Sequence, residues 1–121
     1  MSNTLNWFEL FVTDLPRAKR FYEQLLGITL RGVDFQGEPN ALFMQGDDAQ
    51  GALALRKGRA PSKDGALVYL NCNGILDAAL ARVAKAGGTV VMPKTDIGPP
   101  GFIAVVLDTE GNAVGLHAER Q

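Results

Sequence analysis

The chain has 121 residues, of which 46% are apolar and 21% are charged, and its formal net charge is -1. This is the composition of one ordinary globular domain, and it excludes a disordered chain or a scaffold held by disulfides. The low net charge excludes the basic surface that nucleic acid or an anionic membrane would require. The single cysteine, Cys72, excludes an internal disulfide and favours a reducing cytoplasm.

The first six residues contain neither a basic segment nor an apolar segment of the kind found in signal peptides. No apolar run approaches the length that spans a membrane. The sequence therefore predicts a soluble, cytoplasmic protein without a membrane or nucleic-acid partner.

The first half of the chain, about residues 1–58, is predicted to fold in the order βαβββ. Leu5–Val12 has strand character, Asp14 is a helix N-cap, and Gly27 is a left-handed helix stop. The helix between them carries apolar residues at helical spacing, namely Leu15, Ala18, Phe21, Tyr22, Leu25 and Leu26. Three short strands are predicted after it, at Thr29–Val33, Ala41–Gln45 and Gly51–Lys57.

The second half, about residues 64–121, repeats this order after a linker at Arg56–Gly65. Asn73 or Gly74 is predicted to open its helix and Gly87 to end it, sixty residues after Gly27. Its strands are predicted at Ala66–Cys72, Thr89–Pro93, Phe102–Leu107 and Ala113–Ala118. The sequence therefore predicts one α+β domain, residues 1–121, built from two βαβββ modules in tandem.

Three stretches carry a family resemblance: WFELFVTDLPRAKRFYEQLLGITL, LDAALARVAKAGGTVV and DTEGNAVGLH. Together they resemble the vicinal oxygen chelate superfamily, which includes glyoxalase I, bleomycin-resistance proteins, fosfomycin-resistance enzymes and extradiol dioxygenases. The resemblance implies a curved mixed sheet around a cleft with the helices outside. It also implies a homodimer, because members commonly pair or swap modules to complete their clefts.

The resemblance also locates the metal site that many members of the superfamily use. Carried over onto this sequence, the four ligand positions are Trp7, Leu55, Leu67 and Gly115, and none of these side chains binds a metal ion. The chain has one histidine and one cysteine in total. We therefore expect no metal and no other cofactor.

Strand alternation predicts which side chains face the cleft. The expected ligand-contacting residues are mostly apolar or aromatic: Trp7, Phe11, Leu55, Leu67, Tyr69, Asn71 and Gly115. Tyr69 and Asn71 either orient a ligand or satisfy each other. Cys72 is expected on the opposite face as a small core residue.

Glu9 and His117 are the candidates for acid or base chemistry. A carboxylate between Trp7 and Phe11 on one strand face is costly to bury ionised unless it is paired. Burial raises the pKa of a carboxylate, which suits proton transfer near neutral pH. A wet cleft mouth or a salt bridge to an arginine explains Glu9 equally well. His117 changes charge near neutral pH and fits a pair with Glu9, although its place near the C-terminus also fits simple exposure.

Four functions stay open at this point. The first is a metal-independent protein that binds an apolar or aromatic small molecule, and the second is a metal-independent lyase or isomerase that uses Glu9 with His117. A structural partner without a ligand is the third, and a metal enzyme with unusual ligands ranks last. The sequence contains no Walker loop, no GxGxxG after a strand and no HExxH motif.

Overall fold

The computed structural model describes residues 4–120. The predicted α+β fold with two βαβββ modules is confirmed. The elements of module one are β1 (Phe8–Phe11), α1 (Leu15–Leu26), β2 (Arg31–Phe35), β3 (Glu38–Gln45) and β4 (Asp48–Ala54). Those of module two are β5 (Tyr69–Asn71), α2 (Leu76–Ala86), β6 (Thr89–Asp96), β7 (Phe102–Leu107) and β8 (Ala113–Ala118). Neither helix is long and apolar enough to cross a membrane.

Each module has its own four-stranded mixed sheet. The strand orders are β1-β4-β3-β2 and β5-β8-β7-β6. In both sheets the first strand pairs in parallel with the last, and the remaining pairs are antiparallel. The two short strands β1 and β5 are therefore sheet edges, each with one side unpaired in the described chain.

The helix ends follow their capping residues. The Asp14 side chain accepts a hydrogen bond from the Arg17 N–H, and Gly27 ends α1 with a φ of 68°, both as predicted. Gly87 likewise ends α2 in the left-handed region. The predicted start of α2 at Asn73 or Gly74 was wrong, because Ile75 occupies its cap position. The Asn73 side chain instead accepts a hydrogen bond from the Glu119 N–H.

Both modules contribute to one hydrophobic core. Helix α1 packs on β3 and β4, α2 packs on β6 and β8, and the two helices contact each other. Tyr22, Phe21 and Val83 are among the fully buried side chains at this junction. Cys72 is also fully buried, as expected, and burial raises the pKa of its thiol to about 11. The thiol is therefore a core group without the reactivity of an exposed thiolate.

The sixty-residue repeat holds at the first strands but not at the last. Glu9 pairs with Ala52, and Tyr69, sixty residues after Glu9, pairs with Gly115. Ala52 and Gly115 differ by 63 in residue number, so module two has three extra residues before its last strand. Strand register therefore makes Ala52 the counterpart of Gly115. Leu55, the counterpart inferred from the repeat, lies one residue beyond β4.

The extra residues enter before β7. Leu42 and Val105 occupy matching positions on β3 and β7, and they also differ by 63 in residue number. Strand β6 has two register shifts against β7. Strands β6 and β7 are joined by a five-residue loop, residues 97–101, whereas the corresponding strands β2 and β3 are joined by a two-residue turn, residues 36–37. The two modules consequently differ in the loop that joins their second and third strands.

Glu110 joins module two to the start of α1. Its side chain is fully buried, and one carboxylate oxygen accepts hydrogen bonds from the Thr13 and Asp14 N–H groups, each at 2.9 Å. The other oxygen accepts from the Arg17 Nε–H at 2.8 Å and from the Thr109 hydroxyl at 3.0 Å. Burial raises the pKa of Glu110, but these hydrogen bonds outweigh burial and lower it to about 2.

A second set of contacts fixes the same turn, residues 108–112. The Tyr22 hydroxyl donates to Asp108 Oδ2 at 2.6 Å. The Asn112 side-chain amide donates to the Phe11 carbonyl at 2.8 Å and to Asp108 at 3.1 Å. Asp108 and Asn112 are almost completely buried, and their polar atoms satisfy one another or the facing module. The turn therefore sets the position of β8, which follows it directly.

We expect Glu110→Gln to lower the free energy of unfolding at pH 7 by about 2 kcal/mol, since an amide NH₂ then faces the N–H donors of Thr13 and Asp14. The native pKa lies below the ordinary value, so the native state favours the ionised form. The contribution of Glu110 is therefore fully present above about pH 4.5 and is lost as the pH falls towards 2. Urea denaturation at pH 7 and at pH 3 measures both effects.

Asp77→Asn is the matched control, because Asp77 pairs with Lys94 at 3.1 Å on the surface and its side chain is 80% exposed. Its cost should stay below about 1 kcal/mol at both pH values. Equal costs for the two variants at pH 7 would contradict a special role for Glu110.

Candidate functional site

The predicted alternation of side chains between two faces is present in β1, β5 and β8. Leu10 and Leu70 are buried against the helices, as are Val114 and Leu116 on β8. Their neighbours along the strands therefore lie on the opposite face of each sheet. We call this the cleft face; it carries Glu9 and Phe11 in module one and Tyr69, Asn71, Gly115 and His117 in module two.

A cavity of about 560 Å³ opens on the cleft face of module two. Three of the residues that line it were singled out from the sequence: Tyr69, Asn71 and His117. The others are Leu70, Asn73, Ile97, Pro100, Ile103 and Glu119. The lining thus combines an exposed aromatic ring, aliphatic side chains and a few polar groups, as small-molecule sites commonly do.

The loop at residues 97–101 makes one wall of this cavity and is held at both ends. Within the loop, the Ile97 N–H donates to the Gly101 carbonyl at 2.9 Å. Arg120 pairs with Asp96 and donates to the Gly98 carbonyl at 3.2 Å. The loop is therefore preformed. The sequence Gly-Pro-Pro-Gly is typical of a plain turn, and the three extra residues of module two become apparent only from the strand register.

His117 ties β8 to the same loop. Its Nε2 atom lies 2.8 Å from the Pro100 carbonyl oxygen. A carbonyl oxygen only accepts, so Nε2 carries the hydrogen and Nδ1 of the neutral ring is an acceptor. On the neighbouring strand, Asn71 Oδ1 accepts from the Asn73 N–H at 2.9 Å. His117 and Asn71 each have one side-chain polar atom engaged and one that bonds to no residue between 4 and 120.

Glu9 lies in a different environment, on the cleft face of module one. Its carboxylate accepts from the Trp7 indole N–H at 3.4 Å and from Arg56 at 3.1 Å. The Arg56 guanidinium also donates to the buried Asn40 side chain at 2.7 Å. Glu9 therefore has the arginine partner that the sequence left open, and Arg56 itself was not foreseen as part of the site.

Glu9 and His117 do not meet within one chain. His117 lines the cavity of module two, whereas Glu9 and Phe11 line a separate cavity of about 390 Å³ beside the linker. Trp7, Leu55 and Leu67 are 37 to 39% exposed, and none of them lines the larger cavity. The predicted site residues thus fall into two groups, one on each module.

The positions implied for a metal ion do not fit one. The Tyr69 ring covers Gly115 so closely that a Cβ atom there would overlap it. The space where a ligating side chain would start is therefore already filled. By strand register the counterpart in module one is Ala52, which has no ligating atom. Between residues 4 and 120 no three histidine, cysteine or acidic side chains cluster as a metal site.

Comparison with known proteins establishes the family. Residues 4–116 match the model of the Glyoxalase/Bleomycin resistance protein/Dioxygenase superfamily. The chain therefore belongs to that superfamily, as the resemblance in its sequence indicated.

Curated relatives include "Putative glyoxylase CFP32" of Mycobacterium bovis and of Mycobacterium tuberculosis. Each is 32% identical over 120 residues, which cover 93% of this chain and 44% of the relative. The chain thus spans less than half the length of the curated relatives that it matches.

Two solved structures illustrate the shared fold. A glyoxalase/bleomycin resistance protein from Albidiferax ferrireducens is 19% identical, with a TM-score of 0.70 and coverage of 98% of this chain and 100% of that one. A variant of the fosfomycin resistance protein FosX from Listeria monocytogenes is 14% identical, with a TM-score of 0.71 and coverage of 99% and 95%. The FosX structure holds Mn(II) and 1S,2S-dihydroxypropylphosphonic acid. At these identities the likeness extends to the fold alone.

We expect untagged protein to bind no Mn²⁺, Fe²⁺, Ni²⁺ or Zn²⁺ at micromolar concentrations, because the superfamily positions carry no ligand atoms. Elemental analysis of the purified protein and calorimetric titration with each ion provide the measurement. One ion bound tightly per chain would contradict the assignment of those positions and would return the metal-dependent activities to consideration.

Proposed function

We propose that this chain is a metal-independent small-molecule-binding protein of the glyoxalase/bleomycin-resistance type, and that its ligand occupies the cleft between Tyr69 and the loop at residues 97–101. The observation that carries this proposal is the cavity of about 560 Å³ lined by Tyr69, Asn71 and His117. Its volume lies within the range of about 300–1,000 Å³ that is usual for small-molecule sites. A buried free thiol, Cys72, suits a cytoplasmic location for this function.

The chemistry of the lining favours an apolar or aromatic ligand. The Tyr69 side chain is 44% exposed although it sits on a sheet face, so one surface of the ring is available for stacking. Ile97 and Ile103 supply aliphatic surface on the other side of the cavity. Burial of these groups by a ligand would remove apolar surface from water, which is the main source of binding free energy in such sites.

Rigidity of the cleft also supports binding. The Arg120–Asp96 pair and the His117 contact to Pro100 hold the loop wall in place without a ligand. A preformed site loses little conformational entropy when it binds, so a modest contact area suffices for affinity. These contacts also account for His117 without assigning it an acid or base role.

The alternative function, a lyase or isomerase that uses Glu9 with His117, has weaker support. Glu9 forms a salt bridge with Arg56, and it lines a different cavity from His117. A general base must come within hydrogen-bond reach of its partner and its substrate. Within one chain the two residues do not form such a pair.

We further propose a homodimer in which β1 of one chain adjoins β5 of the other. Both strands are unpaired sheet edges in one chain, and exposed apolar side chains precede them, namely Leu5, Trp7 and Leu67. A two-fold axis would form this contact twice, because β1 of each chain would adjoin β5 of the other. Neither edge would then stay unpaired. The same contact would place the cleft face of module one beside that of module two.

We expect N-phenyl-1-naphthylamine, a neutral fluorescent aromatic probe, to bind saturably at one site per chain. Tyr69→Ala should weaken binding at least about tenfold, because it removes the main aromatic surface of the cleft. Fluorescence titration gives the Kd of each variant.

Two variants control this experiment. Phe35→Ala removes an aromatic side chain of similar exposure, 47%, from the far edge of module one and should leave the Kd unchanged. Glu9→Gln should also bind as the wild type does. Absence of saturable binding, or equal losses in Tyr69→Ala and Phe35→Ala, would argue against the proposed cleft. A reaction of a carbonyl substrate that Glu9→Gln abolishes while binding persists would favour the enzyme.

Sedimentation equilibrium tests the dimer. We expect the wild type to sediment as a dimer and Leu67→Glu to shift towards monomer, since the new charge would be buried in the joined edge. Val91→Glu introduces the same charge on β6, where Val91 is 57% exposed at the opposite edge of that sheet, and should leave the dimer intact. A monomeric wild type would refute the arrangement, as would a dimer that only Val91→Glu disrupts.

A further inference from the structure

The cleft of module two holds a hydrogen-bond acceptor without a protein partner. His117 Nε2 donates to the Pro100 carbonyl, so Nδ1 of the neutral ring offers a lone pair. No donor in residues 4–120 bonds to that atom. Because a carbonyl oxygen only accepts, this contact selects the tautomer of the neutral ring that carries its hydrogen on Nε2.

A donor without a protein partner stands beside it. Asn71 pairs with His117 in the parallel register of β5 and β8, so the two residues are neighbours on the cleft face of strands about 5 Å apart. Asn71 Oδ1 accepts from the Asn73 N–H, which fixes the orientation of the amide. Its NH₂ group bonds to no residue between 4 and 120. The cleft thus presents one acceptor and one donor side by side.

A hydroxyl group matches this arrangement, whereas an ether or an ammonium group does not. A hydroxyl donates one hydrogen bond and accepts others, so its oxygen satisfies His117 Nδ1 and the Asn71 amide together. An ether oxygen only accepts and an ammonium only donates, and either would leave one of the two side chains unpaired. An unpaired polar group that is desolvated by a ligand reduces affinity.

The charges around the cleft argue against an anionic ligand. None of the residues that line the cavity is a lysine or an arginine, and the one acidic residue among them is Glu119. The guanidinium of the adjacent Arg120 is occupied by Asp96 and by the Gly98 carbonyl. Within one chain, a carboxylate or phosphate in this cavity would therefore have no lysine or arginine to pair with.

We infer that the ligand is a neutral aromatic compound with a hydroxyl group, whose oxygen lies between His117 and Asn71 and whose ring packs on Tyr69. This inference rests on the proposed binding function and adds the chemical class of the ligand. His117 and Asn71 would select the hydroxyl group, and the apolar side chains of Tyr69, Ile97 and Ile103 would supply most of the binding free energy.

Three naphthalene compounds that differ only in one substituent test the class: 2-naphthol, 2-methoxynaphthalene and 2-naphthoate. We expect 2-naphthol to bind about 3- to 10-fold more tightly than 2-methoxynaphthalene, the range of one net hydrogen bond, and 2-naphthoate to bind most weakly. Calorimetric titration gives the Kd of each compound. The measured quantity is the ratio of the Kd values within each variant, which a general loosening of the loop does not change.

His117→Phe removes both ring nitrogens and should bring the ratio of 2-methoxynaphthalene to 2-naphthol Kd values close to one. His117→Asn retains an oxygen acceptor near the position of Nδ1 while it loses the contact with Pro100, so most of the preference should remain. Persistence of the full preference in His117→Phe would overturn the role of His117.

The outcomes separate this inference from the function on which it rests. Equal affinity of the wild type for 2-naphthol and 2-methoxynaphthalene would overturn the selection of a hydroxyl while leaving a binding cleft. Tightest binding of 2-naphthoate would overturn the neutral class. Failure of all three compounds and of N-phenyl-1-naphthylamine to bind would instead overturn the proposed function.

Discussion

The buried carboxylates of the turn at residues 108–112 hold the two modules together, and the rest of the structure depends on them. Glu110 receives hydrogen bonds from the start of α1, and Asp108 accepts from the hydroxyl of Tyr22 in the middle of that helix. Buried charges are stable only when their oxygens are fully hydrogen-bonded, and here module one supplies several of the donors while the turn supplies the rest. Because β8 begins at Ala113, directly after the turn, the same contacts determine where His117 lies.

Three extra residues then make the modules unequal. The register shifts in β6 and the loop at residues 97–101 have no counterpart in module one, where residues 36–37 close the hairpin. That loop forms a wall of the larger cavity, and its contacts with His117 and Arg120 keep it in place. A small change in loop length therefore gives the cavity of module two a wall that has no counterpart in module one.

The sequence predicted the fold well because caps, turns and apolar spacing are local signals. Asp14 and Gly27 defined α1, and alternation placed Leu10 and His117 on opposite kinds of face. Prediction was weaker where the structure depends on non-local register. The assignment of Leu55 assumed a constant repeat, whereas bulges in β6 change the spacing. The salt bridge between Glu9 and Arg56 joins residues 47 apart, and no periodic pattern indicates such a contact.

The unequal use of polar groups explains why module two is the better candidate for function. The positions in module one that correspond to Asn71 and His117 are Phe11 and Ala54, which pair in the same register and have no polar side-chain atoms. The charged residue of that face, Glu9, is matched by Arg56. Side chains that satisfy one another contribute to structure and offer little to a ligand. In module two, the Asn71 amide nitrogen and His117 Nδ1 lack a partner among the described residues, and the Tyr69 ring beside them is exposed. A bound molecule could supply both the missing hydrogen bonds and an apolar contact.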